Sequence, residues 1–100
     1  MASSSINYID YDVLERGKNV YHEQADALTS IVSLLNSMNA ELEDGWSNET
    51  ARAFVDRMRT DHIPKLEKAS IAIQEVSDYI ASYMNNRQSE DREGGAAISG

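Results

Sequence analysis

The sequence contains no cysteine, a single proline, a single tryptophan and only five glycines in 100 residues. Without thiols there is no disulfide framework and no thiolate metal site, so redox and thiol chemistry are excluded. With so little proline and glycine to punctuate the chain, long helices are its natural product. Basic residues are also scarce: nine stand against seventeen acidic ones, a net charge of −8 that repels nucleic acid and anionic lipid. A basic partner fits that balance better. The bias lies in the first half, where residues 1–45 carry two basic and eight acidic side chains (net −6), against a net −2 for residues 46–100. No uncharged run is apolar enough to span a bilayer, and the opening MASSSINYIDYD has neither a basic n-region nor an apolar h-region. The expectation is one small domain with no stable membrane insertion, whose export, if it occurs, is leaderless.

What is present is periodicity. Leu14, Tyr21, Leu28, Leu35 and Leu42 recur every seven residues, and Ala25, Ile31, Val32 and Met38 fill the three-and-four steps between them. This predicts an amphipathic helix over 10–44. The carboxylate of Asp10 or Asp12 suits its first turn, and Gly45 is expected to end it in the left-handed C′ conformation. A second run (Ala51, Val55, Met58, His62, Leu66, Ala69, Ile73, Val76, Ile80, Tyr83) predicts a helix over 50–86 after a turn at 45–49. Ser47 or Asn48 can cap it, with Glu49 in the dipole-favoured first turn. Pro64 lies inside this run, and Met58 and Leu66 are eight apart where the rest of the seam steps by seven. The expected result is a bent but continuous helix with its kink near Pro64. Residues 1–9 read as a flexible N-terminus and 87–100 as a disordered acidic tail, leaving 10–86 as a helical hairpin.

Each helix carries more apolar surface than one neighbour covers, and a lone hairpin of this size has a thin core. The predicted fold class is therefore an all-α, antiparallel two-helix hairpin that pairs into a four-helix-bundle dimer. Leu14, Tyr21, Leu28, Ile31, Leu35, Leu42, Val55, Met58, Leu66, Ile73 and Ile80 are the predicted core and dimer interface. Arg52, Arg57 and Arg59 are placed to pair with Glu41, Glu43 and Asp44 across the turn. Tyr8, Tyr11, Tyr21, Tyr79 and Tyr83 gather at the opposite end, where they are expected to close the core; exposed there, they would mark a docking surface.

Catalysis is not expected. His22 and His62 lack any ligand spacing and lie about 12 Å apart along the hairpin, reading as a surface and a seam histidine respectively. The pairs Asp10/Asp12 and Glu41/Glu43 sit on solvated helix ends, where capping and solubility account for them. No metal or cofactor is predicted.

The turn carries the most specific signal. Trp46 lies between the helices in Gly45-Trp46-Ser47-Asn48-Glu49-Thr50-Ala51-Arg52-Ala53-Phe54, with an aromatic eight residues later. Together with the chain length and the hairpin layout, this resembles the WXG100 family, the ESAT-6-like proteins, over roughly residues 6–86. Where that family has glycine two residues after the tryptophan, this chain has Asn48. Asn tolerates the left-handed region and is a good N-cap. The resemblance implies a small secreted protein, cytoplasmic before export and extracellular after it. It would travel as a folded homodimer, or as a heterodimer with a related helical hairpin, through a type VII secretion system. Trp46, Asn48 and Phe54 would belong to the secretion and turn motif, with Trp46 and Asn48 forming half of a composite surface read by the motor ATPase. Family members or their partners often carry Tyr-x-x-x-Asp/Glu just after the second helix. Here Tyr79 is followed four later by Tyr83, and Tyr83 by Arg87. That absence supports an alternative: a cytoplasmic hairpin that pairs with, and targets, a larger type VII substrate.

Overall fold

The computed structural model describes residues 8–99, with side chains for 8–88. It is an antiparallel hairpin of two helical rods, elongated to 74 × 33 × 18 Å. The first rod is α1 (Tyr11–Gly45); the second is α2 (Glu49–Arg57), a π-helical turn (Met58–His62) and α3 (Ile63–Ser99), joined without a break. No strand occurs among the described residues.

Both N-termini are capped as the sequence predicts. Asp10 accepts from the amides of Asp12 (3.0 Å) and Val13 (3.2 Å), and Asn48 accepts from the Ala51 amide at 2.8 Å. These bonds satisfy donors that the first helical turn leaves open. The C-terminus of α1 differs from expectation. Gly45 is the last helical residue and does not adopt a positive φ; the rod ends at Trp46 (φ −135°, ψ 84°), whose amide still donates to the Leu42 carbonyl at 2.8 Å. Asn48 is likewise extended at φ −152°, so it serves the turn as a cap and not through left-handed backbone. The connection is therefore shorter than the expected 45–49, occupying residues 46–48.

The predicted disturbance in the second rod falls just before Pro64. Pro64 has no amide to donate, and over Met58–His62 the helix loosens to i→i+5 bonding, ending with Ile63 donating to Met58. A π-turn inserts one residue into the α ladder. This accounts for the eight-residue step between Met58 and Leu66.

The insertion also decides which residues face α1. The seam of α1 follows a heptad alternation: Leu14, Lys18, Tyr21, Ala25, Leu28, Val32, Leu35, Asn39, Leu42. Of these, Ala25, Val32 and Asn39 are buried, the leucines are half-buried, and Tyr21 is 42% exposed. Opposite lie Ala51, Val55, Met58, Ile63, Leu66, Ser70, Ile73, Ser77, Ile80 and Met84, whose spacing widens to five only across the π-turn. Four expected seam residues are displaced by one position, Ser70 in place of Ala69 being one of them. Ile63 is buried and His62 exposed, Ser77 is buried and Val76 exposed, and Met84 is buried while Tyr83 is exposed. At Ile63 the inserted residue is the cause. At Ser77, a hydroxyl that finds a backbone partner is accepted in the seam, and hydrophobic spacing cannot register it.

The serines tie the rods together one heptad apart. Ser77 Oγ donates to the Lys18 carbonyl and Ser70 Oγ to the Ala25 carbonyl, each at 2.9 Å; Thr29 Oγ1 lies 3.0 Å from Ser70 Oγ. Extending this pairing sets Tyr11 level with Met84, so α3 continues past the first residue of α1. The tail expected to be disordered from 87 instead runs on as helix to Ser99. Seven of residues 87–99 are Arg, Gln, Glu or Ala, which favour helix, against the cost of Gly94 and Gly95. The flexible segment expected at 1–9 lies mostly outside the described residues.

Candidate interaction surface

Two surfaces follow from this framework. At the turn, Trp46 and Phe54 meet at a centroid distance of 6.1 Å and an interplanar angle of 49°. Both remain partly solvated, at 38% and 44% exposure, so the pair covers the end of the hairpin without being enclosed. Asn48, through its cap on Ala51, fixes the start of the helix that carries Phe54. The three residues singled out in the sequence are thus one local unit. Beside them, Glu43, Trp46, Ser47, Asn48, Ala51 and Arg52 line a shallow hollow of about 210 Å³.

Charges organise the flank of the turn, though not all as expected. Arg59 pairs with Glu43 across the rods. Arg57 turns along its own helix to Asp61 (3.4 Å), which Lys65 also meets at 2.8 Å. Those contacts, led by the Lys65 hydrogen bond and reinforced by the nearby cations, hold the Asp61 carboxyl below the usual aspartate range.

The second surface is a stripe on α1 that the hairpin leaves uncovered. Val13, Val20, Ala27, Ile31, Leu34 and Met38 are all exposed, Leu34 to 70%. With Gly17 and Gln24 they form a second heptad alternation, one residue out of step with the seam. At 1.5 Å per residue the stripe is about 37 Å long. Ile31, read as a core or interface position, belongs to it. On the second rod Val76, Tyr79 and Tyr83 are exposed at the open end of the hairpin. Tyr83 joins Tyr8, Ile9, Asp10, Val13 and Leu14 around a cavity of about 460 Å³, which ties the α3 tyrosine to the α1 stripe on one face. The tyrosines therefore do not close the core: Tyr8, Tyr21, Tyr79 and Tyr83 are exposed, and Tyr11 alone is half-buried.

The remaining predicted interface residues, Leu14, Leu28, Leu35, Leu42, Met58, Leu66, Ile73 and Ile80, are half-buried along the seam, and Val55 is buried there. Sequence reasoning missed the polar seam: Ser70, Ser77 and Asn39, the last buried with Nδ2 unpartnered among the described residues. The seven-residue interval between the two serines was their available signal.

The histidines stay apart. His22 Nδ1 lies 2.9 Å from Gln74 Oε1 and its Nε2 lies 3.4 Å from Asp26, while His62 belongs to the π-turn. Among the described residues no group of three or more His, Cys, Asp or Glu side chains could hold a metal ion, and no helix is long and apolar enough to cross a membrane. Over the described residues the chain is all-helical and folds as a helical hairpin. Compared with protein-family models, with curated proteins and with solved structures, it matches none.

Proposed function

We propose that this chain is a WXG100-type secreted protein: a non-catalytic hairpin that pairs through its uncovered face into a four-helix bundle and leaves the cell folded, through a type VII secretion system. The observation that carries the reading is the pairing of an aromatic turn with an open apolar stripe. Trp46 and Phe54 mark one end of the hairpin, and an apolar heptad stripe on α1, interrupted at Gly17 and Gln24, is open to a helical neighbour. Contiguous exposed apolar surface marks interaction sites, and an added helix pair would gain about 25 cal/mol for each Å² of apolar surface it covers, before ordering costs. In this role Trp46 presents its exposed edge to the motor ATPase, and the bundle itself is the cargo.

A second reading, a cytoplasmic adaptor that pairs with a larger secreted chain, draws on the missing Tyr-x-x-x-Asp/Glu after residue 79. The culture supernatant of cells carrying a type VII system separates the two: the first reading puts the protein there, the second retains it in the cytosol. Within the first, Trp46→Ala should keep the far-ultraviolet helical signature and lower the exported fraction. Wild-type export of the variant removes the assigned role of Trp46.

A further inference from the structure

The charges bordering the uncovered stripe indicate its occupant. α1 carries Asp12, Glu15, Glu23, Asp26, Glu41, Glu43 and Asp44 against only Arg16 and Lys18. Some of these acids are matched within the chain, Glu15 by Lys18 at 2.8 Å, Asp26 by His22 and Glu43 by Arg59. Of the four left over, Asp44 lies at the turn end of α1 and the other three lie along the stripe. Glu23 stands three residues beyond Val20 and four before Ala27, Asp12 adjoins Val13, and Glu41, three beyond Met38, takes the next step of the stripe's alternation and closes its end. All three are exposed and enter no ion pair among the described residues; Arg16 is the one cation on the same border. A helix seated on the stripe meets these carboxylates at its own flanking positions, where charge sets partner choice.

A twofold-related copy would bring the same border against itself, and each copy adds a further −8. Repulsion between unpaired carboxylates then opposes the apolar gain at low ionic strength. We infer that the resident of this stripe is a different helical chain, with its own apolar heptad bordered by lysine or arginine, and not a second copy of this protein. The inference rests on the proposed reading that the stripe is the pairing face, and it names the chemistry of the partner.

A variant of the chain itself can stand in for such a partner. Glu23→Lys combined with Glu41→Lys turns the border basic at two exposed positions and leaves the Asp10 cap and first turn intact. Mass should be measured by light scattering after size exclusion, at about 50 mM and about 500 mM salt, with circular dichroism confirming that each chain is helical. The wild type and the double variant should each run near 11.1 kDa alone and form a 1:1 species of twice that mass when mixed. That species should be roughly tenfold weaker at the higher salt. A wild-type self-dimer as tight as the mixed one overturns the inference, as does a mixture that stays monomeric. Leu34→Asp in the wild-type chain separates this from failure of the underlying reading. If a tight wild-type self-dimer is lost with Leu34→Asp, the face is right and the partner chemistry wrong. If mixed pairing persists with Leu34→Asp, the stripe is not the pairing face. Glu23→Gln with Glu41→Gln gives an independent check, because neutralising the border should strengthen self-association over wild type; no change, or a weakening, counts against repulsion as the cause.

Discussion

The two stripes of α1 have the same heptad spacing and opposite fates. Apart from the exposed Tyr21, the seam from Leu14 to Leu42 is half-buried or buried against the second rod, and apart from the half-buried Gly17, the stripe from Val13 to Met38 is in solvent. Their composition explains the division only in part. The outer stripe, with Ile31, Leu34 and Met38, is at least as apolar as the inner one, which includes Lys18 and Asn39. What selects the inner stripe is complementarity. Ala25 is small enough to admit Ser70 to its carbonyl, and Lys18 offers its carbonyl to Ser77. Backbone proximity and two directed hydrogen bonds thus choose the folding face, leaving an apolar face in solvent.

The largest break in this comparison comes from truncating one residue on each side of it. Ile63→Ala empties a 3%-exposed seam position and should cost about 2 to 4 kcal/mol in urea unfolding. Leu34→Ala, at a 70%-exposed position, should change monomer stability by no more than about 0.5 kcal/mol while weakening association. Comparable losses at the two sites would mean that the stripes are not functionally distinct. A smaller contrast exists at the turn. Asn48→Ala removes the side-chain bond to Ala51 and should cost about 1 kcal/mol. Gly45→Ala should stabilise by about 0.5 to 1 kcal/mol, because the residue is helical, has no positive φ and has open space where a Cβ would stand. Thermal melts of the two variants should move in opposite directions. The smallest effect is that of pH. The Asp61 carboxyl is held below its ordinary 3.8 by Lys65, so its contribution is present above that value and is lost as the pH falls through the depressed folded value. Asp61→Asn should flatten this part of an acid titration of stability; an unchanged acid limb would show that the Lys65–Asp61 contact contributes nothing.

Much of the hairpin was legible because its signals are local. Asp10 and Asn48 were each among two candidate caps, the leucine heptads read as a rod, and the eight-residue interval from Met58 to Leu66 marked a register shift near Pro64 that the π-turn explains. Trp46 and Phe54 were singled out together through the resemblance alone, and the contact of their rings is what the structure adds. The buried polar residues were not. Ser70, Ser77 and Asn39 interrupt a hydrophobic pattern, and only the opposing rod supplies the carbonyls that make the two serines acceptable inside. Gly45 misled for a related reason: glycine permits a left-handed stop, but Trp46 can end the helix in ordinary backbone while keeping its bond to Leu42. The division of α1 into a used and an unused stripe also escaped, since Ile31 and Leu35 have the same chemistry and differ only in which way the second rod lies.

The serine bonds have a mechanical meaning as well. Because the hairpin doubles back at residues 46–48, Tyr11 and the distal part of α3 emerge at the same end. Tension applied there peels the rods apart in order, meeting the Lys18–Ser77 tie first, the Ala25–Ser70 tie one heptad later, and the Glu43–Arg59 clasp last. Sliding one rod along the other would instead load all three at once. The directed ties thus face unzipping one after another and shear together, alongside the apolar seam that Val32, Val55 and Ile63 bury.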